Sequence, residues 1–194
     1  MVAALGESTA SVFLTNIRDR MLLNKTGRFI LRTQPLINTS ILPQSLSVFA
    51  PNTFGHEYYT FLKTHNVSPD TRVPVKYITN SELAYVMTRY RQVHDFWHTL
   101  LGLGISVEEE LALKCFEMVQ TGLPVTILSS LVGPLKLRAK ERRRFYDHYV
   151  PWAIQCGSSS QFLLNVMYED LFDKDLESVR KALGVWPYTE STPQ

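Results

Sequence analysis

The chain has 194 residues, of which 45% are hydrophobic and 11% aromatic, and its formal net charge is only +2. That length holds one domain with a real core, and that composition excludes the disordered and fibrous classes. The near-neutral balance sets up no global field for a nucleic-acid partner.

Helical signals dominate along the chain, and the alternation expected of strands is nearly absent, so the sequence predicts a single all-α domain over residues 1–194 with a proline-rich, irregular N-terminal third. The opening "MVAALGESTA" has no basic segment followed by an apolar core, as a secretory signal would, and is not Arg-rich and amphipathic like a mitochondrial presequence. A first helix is expected over "STASVFLTNIRDRMLL", capped by Ser8 or Thr9. The stretch "RTQPLINTSILPQSLSVFAPN" is expected to be irregular because Pro35, Pro43 and Pro51 interrupt it. A short helix follows in "TFGHEYYTFLKTH", then a loop in "VSPDTRVPVKY".

The best-defined helix begins near Thr79, where "TNSE" has capping-box spacing with Thr79 at the cap and Glu82 three residues on. Leu83, Met87, Tyr90, His94, Trp97 and Leu101 share one stripe, and the helix should stop at "GLG", residues 102–104. Ser106 and Glu109 repeat the box spacing and restart a helix whose apolar face carries Val107, Leu111, Cys115 and Met118. Further helices are expected over 124–132, 137–149, 150–156 and 160–183, the last ended by Gly184. Cys115 and Cys156 form neither a CxxC pair nor a disulfide framework, which fits a reducing compartment.

Two features on these helices carry chemistry. "HDFWH" places His94 and His98 one turn apart on one face, the spacing at which two imidazoles reach one ion. Asp95, rotated by about 100°, can join the ion or orient a ligand. Glu108, Glu109 and Glu110 open the next helix and can fold back: Glu109 suits the capping box, Glu108 lies nearer the apolar face, and Glu110 shares a polar stripe with Lys114 and Glu117. The pattern does not choose among them. Nitrogen and oxygen ligands without thiolates suit zinc, manganese or iron; the bland alternative is a polar seam in an ordinary core. His56, His65 and His148 lack such company and read as surface or hydrogen-bonded histidines.

The second feature is the uncharged run 118–135 beside "KLRAKERRR" (136–144), which holds six basic residues and one acid. Gly122, Pro124, Gly133 and Pro134 would break a membrane span. The pair reads either as an interfacial element drawn to anionic lipid or as a core helix followed by a solvated one.

"HDFWH", eleven residues and then Glu110 give HDxxH-(x11)-E, and with "SPDTRVP", "ELAYVMTRYRQVHD", "EMVQTGLPVTIL", "GPLKL" and "VPWAIQCG" the chain resembles the mitochondrial coenzyme Q (ubiquinone) biosynthesis protein 4 family over nearly its whole length. The resemblance implies an α-helical fold and a metal site of His94, Asp95, His98 and Glu110, with Zn2+ the usual metal and Fe2+ or Mn2+ compatible with the same ligands. It implies a peripheral position on the matrix side of the mitochondrial inner membrane, a presequence upstream of this chain's start, and other coenzyme Q biosynthesis proteins as partners. The implied activity is C1 decarboxylation, in some accounts oxidative, of a 4-hydroxy-3-methoxy-5-polyprenylbenzoate, with Asp95 as a catalytic candidate. Phe96, Trp97 and Leu101 beside the metal are expected to accept the prenylated aromatic substrate. The generous apolar content also allows a homodimer. The competing expectations are a non-catalytic prenyl-lipid scaffold and, more weakly, a zinc hydrolase, which HDxxH does not match because it lacks the glutamate base of HExxH.

Overall fold

In the computed structural model, which describes residues 11–38, 46–71 and 74–189, α-helices account for most of the chain and no strand occurs among the described residues. The first helix, α1 (Ser11–Leu22), turns directly into α2 (Lys25–Thr33). The expected caps Ser8 and Thr9 lie outside the described residues. Helix α2 is not among the expected elements; Asn24 caps it, its side chain accepting from the Thr26 and Gly27 N–H groups at 2.8 and 3.2 Å. Gly27 is required here by packing, because a Cβ would lie 2.2 Å from the Met21 carbonyl oxygen.

Helix α3 (Phe54–His65) and the long α4 (Ser81–Leu101) follow. The α4 cap is Asn80, not Thr79: its side chain accepts from the Leu83 N–H at 3.0 Å. Glu82 therefore closes no box and instead accepts from Arg18 on α1 at 3.0 Å. Gly102 ends α4 in the left-handed conformation at φ 63°, and the Ser106–Glu109 capping box opens α5 (Val107–Thr121) as expected. Helix α6 (Pro124–Val132) also matches its expected bounds.

Two expectations need correction. The helices placed at 137–149 and 150–156 join as one run: α7 (Ala139–Arg144) passes through a π-turn (Phe145–Tyr149) into α8 (Val150–Ser159). Pro151 cannot donate a helical hydrogen bond, and the widened turn lets the Val150 N–H reach back to the Phe145 carbonyl. The long helix placed at 160–183 is instead two 3-10 turns followed by α9 (Leu176–Leu183), which Asp175 caps at Ser178 N–H, 2.8 Å. The residues before α9 turn their apolar side chains into the core.

Helix α4 crosses the centre, contacted by α1 and α3, with α5 following it through the Gly102 turn; α6 and α8 pack on α5. An aromatic cluster seals the middle: Phe96 meets Tyr58 edge-on at 4.5 Å and Tyr168 at 5.0 Å, while the Trp97 indole donates to the Tyr168 hydroxyl at 2.9 Å. The C-terminal end of α4 is held by Arg180 of α9, whose guanidinium donates to the Leu100 and Thr99 carbonyls at 2.7 and 3.1 Å. The contact to Leu100 serves a helix-end carbonyl with no partner within the helix, and Thr99 shares its carbonyl with the Gly102 N–H.

Candidate metal centre

The Gly102 reversal and the capped restart at Ser106 bring the first turn of α5 alongside the last two turns of α4. Three side chains converge there: His94, His98 and Glu110. The two histidine Nε2 atoms lie 3.2 Å apart, and Glu110 oxygens lie 3.3 Å from His98 Nε2 and 3.8 Å from His94 Nε2.

The outer nitrogens show what these atoms can do. His98 Nδ1 faces the Leu103 carbonyl at 3.2 Å and must donate to it. His94 Nδ1 donates to Glu117 at 2.6 Å. In neutral rings a proton on each Nδ1 leaves a lone pair on each Nε2, so two lone pairs and a carboxylate point at one spot. A cation resolves that arrangement. Zinc bonded to nitrogen at about 2.0–2.1 Å in a tetrahedron would set its ligand atoms about 3.3 Å apart, and the observed spacings fit. The three residues thus fit a metal and leave a coordination position for water or substrate.

Glu117, which the sequence marks only as part of the polar stripe, supports the cluster. It is fully buried, yet accepts from the Tyr90 hydroxyl and the Lys114 ammonium at 2.6 Å each as well as from His94. Burial alone would raise its carboxyl, but Lys114 and His94 overcome that and hold it well below the usual carboxylate range. Burial, helped by Lys114, pushes the His94 imidazole below its ordinary value, which favours the neutral, ligating form. The signal was available: Glu117 lies seven residues past Glu110 on the polar stripe that includes Lys114.

The three consecutive glutamates separate completely. Glu108 is buried against the Arg144 guanidinium on α7. Glu109 closes the capping box and accepts from the Gly104 N–H at 2.9 Å. Glu110 alone joins the histidines. Asp95 is buried one step along α4, and its carboxylate is not among the converging atoms. Phe96, Trp97 and Leu101 are fully enclosed in the core. The ring that does lie on the cluster is Phe61 of α3, stacked on His98 at 5.1 Å. A cleft of about 310 Å³ lies beside it, lined by Phe61, His65, His98, Thr99 and Gly104 among others. Of the remaining histidines, His56 donates through Nδ1–H to the Phe49 carbonyl at 3.1 Å, and His148 is exposed.

Residues 1–189 match the family model for coenzyme Q (ubiquinone) biosynthesis protein Coq4. The chain is 45% identical over 192 residues to the mitochondrial ubiquinone biosynthesis protein COQ4 of Laccaria bicolor, covering 98% of this chain and 65% of that protein. It is 44% identical over 186 residues to the protein of the same name from Saccharomyces cerevisiae, covering 95% of this chain and 56% of that protein. The chain therefore spans between about half and two thirds of the length of these relatives. A crystal structure described as a ubiquinone biosynthesis protein from Nostoc punctiforme shares the fold, with a TM-score of 0.71 at 20% identity over 89% of this chain and 81% of that one.

Proposed function

The chain belongs to the coenzyme Q (ubiquinone) biosynthesis protein Coq4 family, and from that membership we propose that it acts in mitochondrial ubiquinone biosynthesis as a metal-dependent lyase. The substrate in this reading is a 4-hydroxy-3-methoxy-5-polyprenylbenzoate that loses its C1 carboxylate. The observation that carries it is the convergence of His94, His98 and Glu110, a three-residue nitrogen and oxygen set of the kind that leaves catalytic metals an open position. Zinc fits these ligands, and iron or manganese shares the same donor chemistry.

The bound ion would supply Lewis acidity, binding the carboxylate or a ring oxygen and fixing the ring's orientation. The protein's part is to place the aromatic head and manage one proton. Phe61 presents a ring face beside His98 at the cleft, suited to stacking on an aromatic head. Loss of carbon dioxide leaves the electron pair of the broken bond on C1, and a proton must arrive there. Its source would be either Asp95, next to His94 on α4 and buried, or a water held by the ion. An oxidative version of the reaction would need an added oxidant, because zinc has no redox chemistry. In this reading the protein sits peripherally on the matrix side of the inner membrane with other coenzyme Q biosynthesis proteins.

A second reading is a prenyl-lipid scaffold that catalyses nothing. It asks nothing of His94, His98 and Glu110 beyond holding an ion that keeps α4 and α5 together. Purified protein loaded with a defined metal and given a prenylated hydroxybenzoate labelled at the carboxyl carbon separates the two. The lyase reading expects labelled carbon dioxide, lost in His94→Ala. Absence of release from loaded protein, or release unchanged in His94→Ala, ends it.

A further inference from the structure

Helix α6 is built inside out. Its inward face carries Thr126 and Ser130, both buried. Their hydroxyls donate to carbonyls of their own chain, Leu123 at 2.7 Å and Thr126 at 2.8 Å, so they need no polar partner in the core. Its outward face carries Leu128, Leu131 and Val132, and the following 3-10 turn (Gly133–Lys136) adds Leu135. Leu128 is 61% exposed, Leu131 67% and Leu135 71%. The spacing i, i+3, i+4, i+7 puts these four on one stripe. A helix at an ordinary protein surface would present the reverse arrangement. A contiguous apolar ridge of this kind marks a surface that docks on something.

The residues next in sequence identify the occupant. Nothing from 118 to 135 is charged, and the ridge then runs straight into Lys136, Arg138, Lys140 and Arg142. Lys136, Arg138 and Lys140 are exposed, and none of the four makes an ion pair among the described residues. Arg143 and Arg144, by contrast, are paired with Asp147 and Glu108. A leucine stripe bordered by unpaired cations is complementary to the boundary between acyl chains and anionic headgroups. A second copy of the chain is a poorer occupant, since a two-fold interface through this ridge would set one basic block near the other.

We propose that the α6 ridge, Leu128, Leu131, Val132 and Leu135, enters the interface of an anionic bilayer while Lys136, Arg138 and Lys140 hold its headgroups. Among the described residues no helix is long and apolar enough to cross a membrane, so the contact is one of lying on the surface. The inference rests on the peripheral membrane position proposed above and not on the reaction at the metal.

The test is co-sedimentation of the full chain with phosphatidylcholine vesicles, with and without phosphatidylglycerol. Binding is expected to require phosphatidylglycerol and to weaken as salt rises. Leu131→Asp with Leu135→Asp should weaken it by about tenfold or more, since each leucine removes several methylenes from the interface. Lys136→Glu with Lys140→Glu should abolish the dependence on phosphatidylglycerol. Metal content and size-exclusion elution are measured on the same variants. Both residues of each pair are exposed, so metal content should be unchanged; if so, loss of vesicle binding reports on this surface and leaves the lyase reading untouched. The proposal is overturned if the wild-type chain ignores anionic vesicles, if the leucine pair binds them as well as wild type, or if that pair only converts a dimer to a monomer.

Discussion

Glu117 determines which nitrogen of His94 carries the proton. Its Oε1 sits 2.6 Å from His94 Nδ1, and the resulting hydrogen bond turns the Nε2 lone pair toward His98 and Glu110. Carboxylate, histidine and metal in series is a familiar means of orienting a ligand and raising its basicity. Glu117→Ala should weaken metal binding roughly ten- to a hundredfold while leaving Glu110 in place. Competitive titration against a chelator of known affinity measures this directly. Undiminished affinity would show that Lys114 and Tyr90, not His94, are the reason for the buried charge.

The run Glu108-Glu109-Glu110 predicts three different phenotypes from one chemical change. Glu110→Gln should abolish tight metal binding and leave thermal stability of the metal-free protein nearly unchanged, because that side chain is 38% exposed. Glu109→Gln should keep the metal and nearly all of the stability, because a glutamine carbonyl can accept the same N–H groups and close the box. Glu108→Gln should keep the metal but destabilise the protein by leaving Arg144 without its carboxylate. Elemental analysis together with thermal melts on the three variants resolves them.

Arg89 is fully buried in α4 and depends on Glu169. Its guanidinium donates to both carboxylate oxygens, at 2.5 and 3.0 Å, and to the Val166 carbonyl at 2.9 Å. Glu169→Ala strands the cation in the core and should cost about 3–5 kcal/mol. Arg89→Met combined with Glu169→Ala should recover much of that loss, since an apolar replacement of similar volume has no charge to desolvate. Denaturant unfolding of the single and double variants measures both. A double variant no more stable than Glu169→Ala would mean that packing around the guanidinium, not its charge, is what matters.

Both thiols are shielded. Burial pushes the Cys156 thiol up to about 11, with the Trp186 N–H acting weakly in the other direction, and burial raises Cys115 too. A thiol raised in the folded state favours folding below the ordinary cysteine value of about 8.5 and loses that contribution as pH climbs towards 11. Stability should therefore decline over that alkaline window. Alkylation with iodoacetamide at pH 8 should be negligible in the native protein and complete in denaturant; rapid native labelling of Cys156 would contradict its burial.

The sequence carried most of what positions the metal centre. The histidine spacing, the glycine stop at 102, the Ser106 box and the bounds of α6 are local signals, set by side-chain periodicity and cap chemistry within a few residues. The failures share a physical cause, namely demands made by distant partners. Gly27 reads as a helix breaker until the Met21 carbonyl is seen pressing against it. Thr79 and Asn80 are both competent caps, and Glu82 cannot serve Thr79 once Arg18 takes it. The segment 160–183 has apolar residues at helical spacing, yet its rings are drawn separately into the aromatic cluster around Phe96 and Tyr168. Local pattern does not separate Glu110 from Glu108 and Glu109, because which of them meets the histidines depends on how α5 packs against α4. Nothing local indicated that Phe61 would stack on His98, because that contact joins two helices separated by a loop.

The two-helix turn at Gly102 has a consequence for how the protein folds. His94, His98, Glu110 and the supporting Glu117 lie within 23 residues of one another along the chain. Closing so short a segment costs little chain entropy, and contacts of low sequence separation form early. The metal centre can assemble on the α4–α5 hairpin before α8, α9 or the aromatic cluster arrives. An ion bound to His94, His98 and Glu110 at that stage would favour the hairpin geometry that the remaining helices require, and would act as a folding aid.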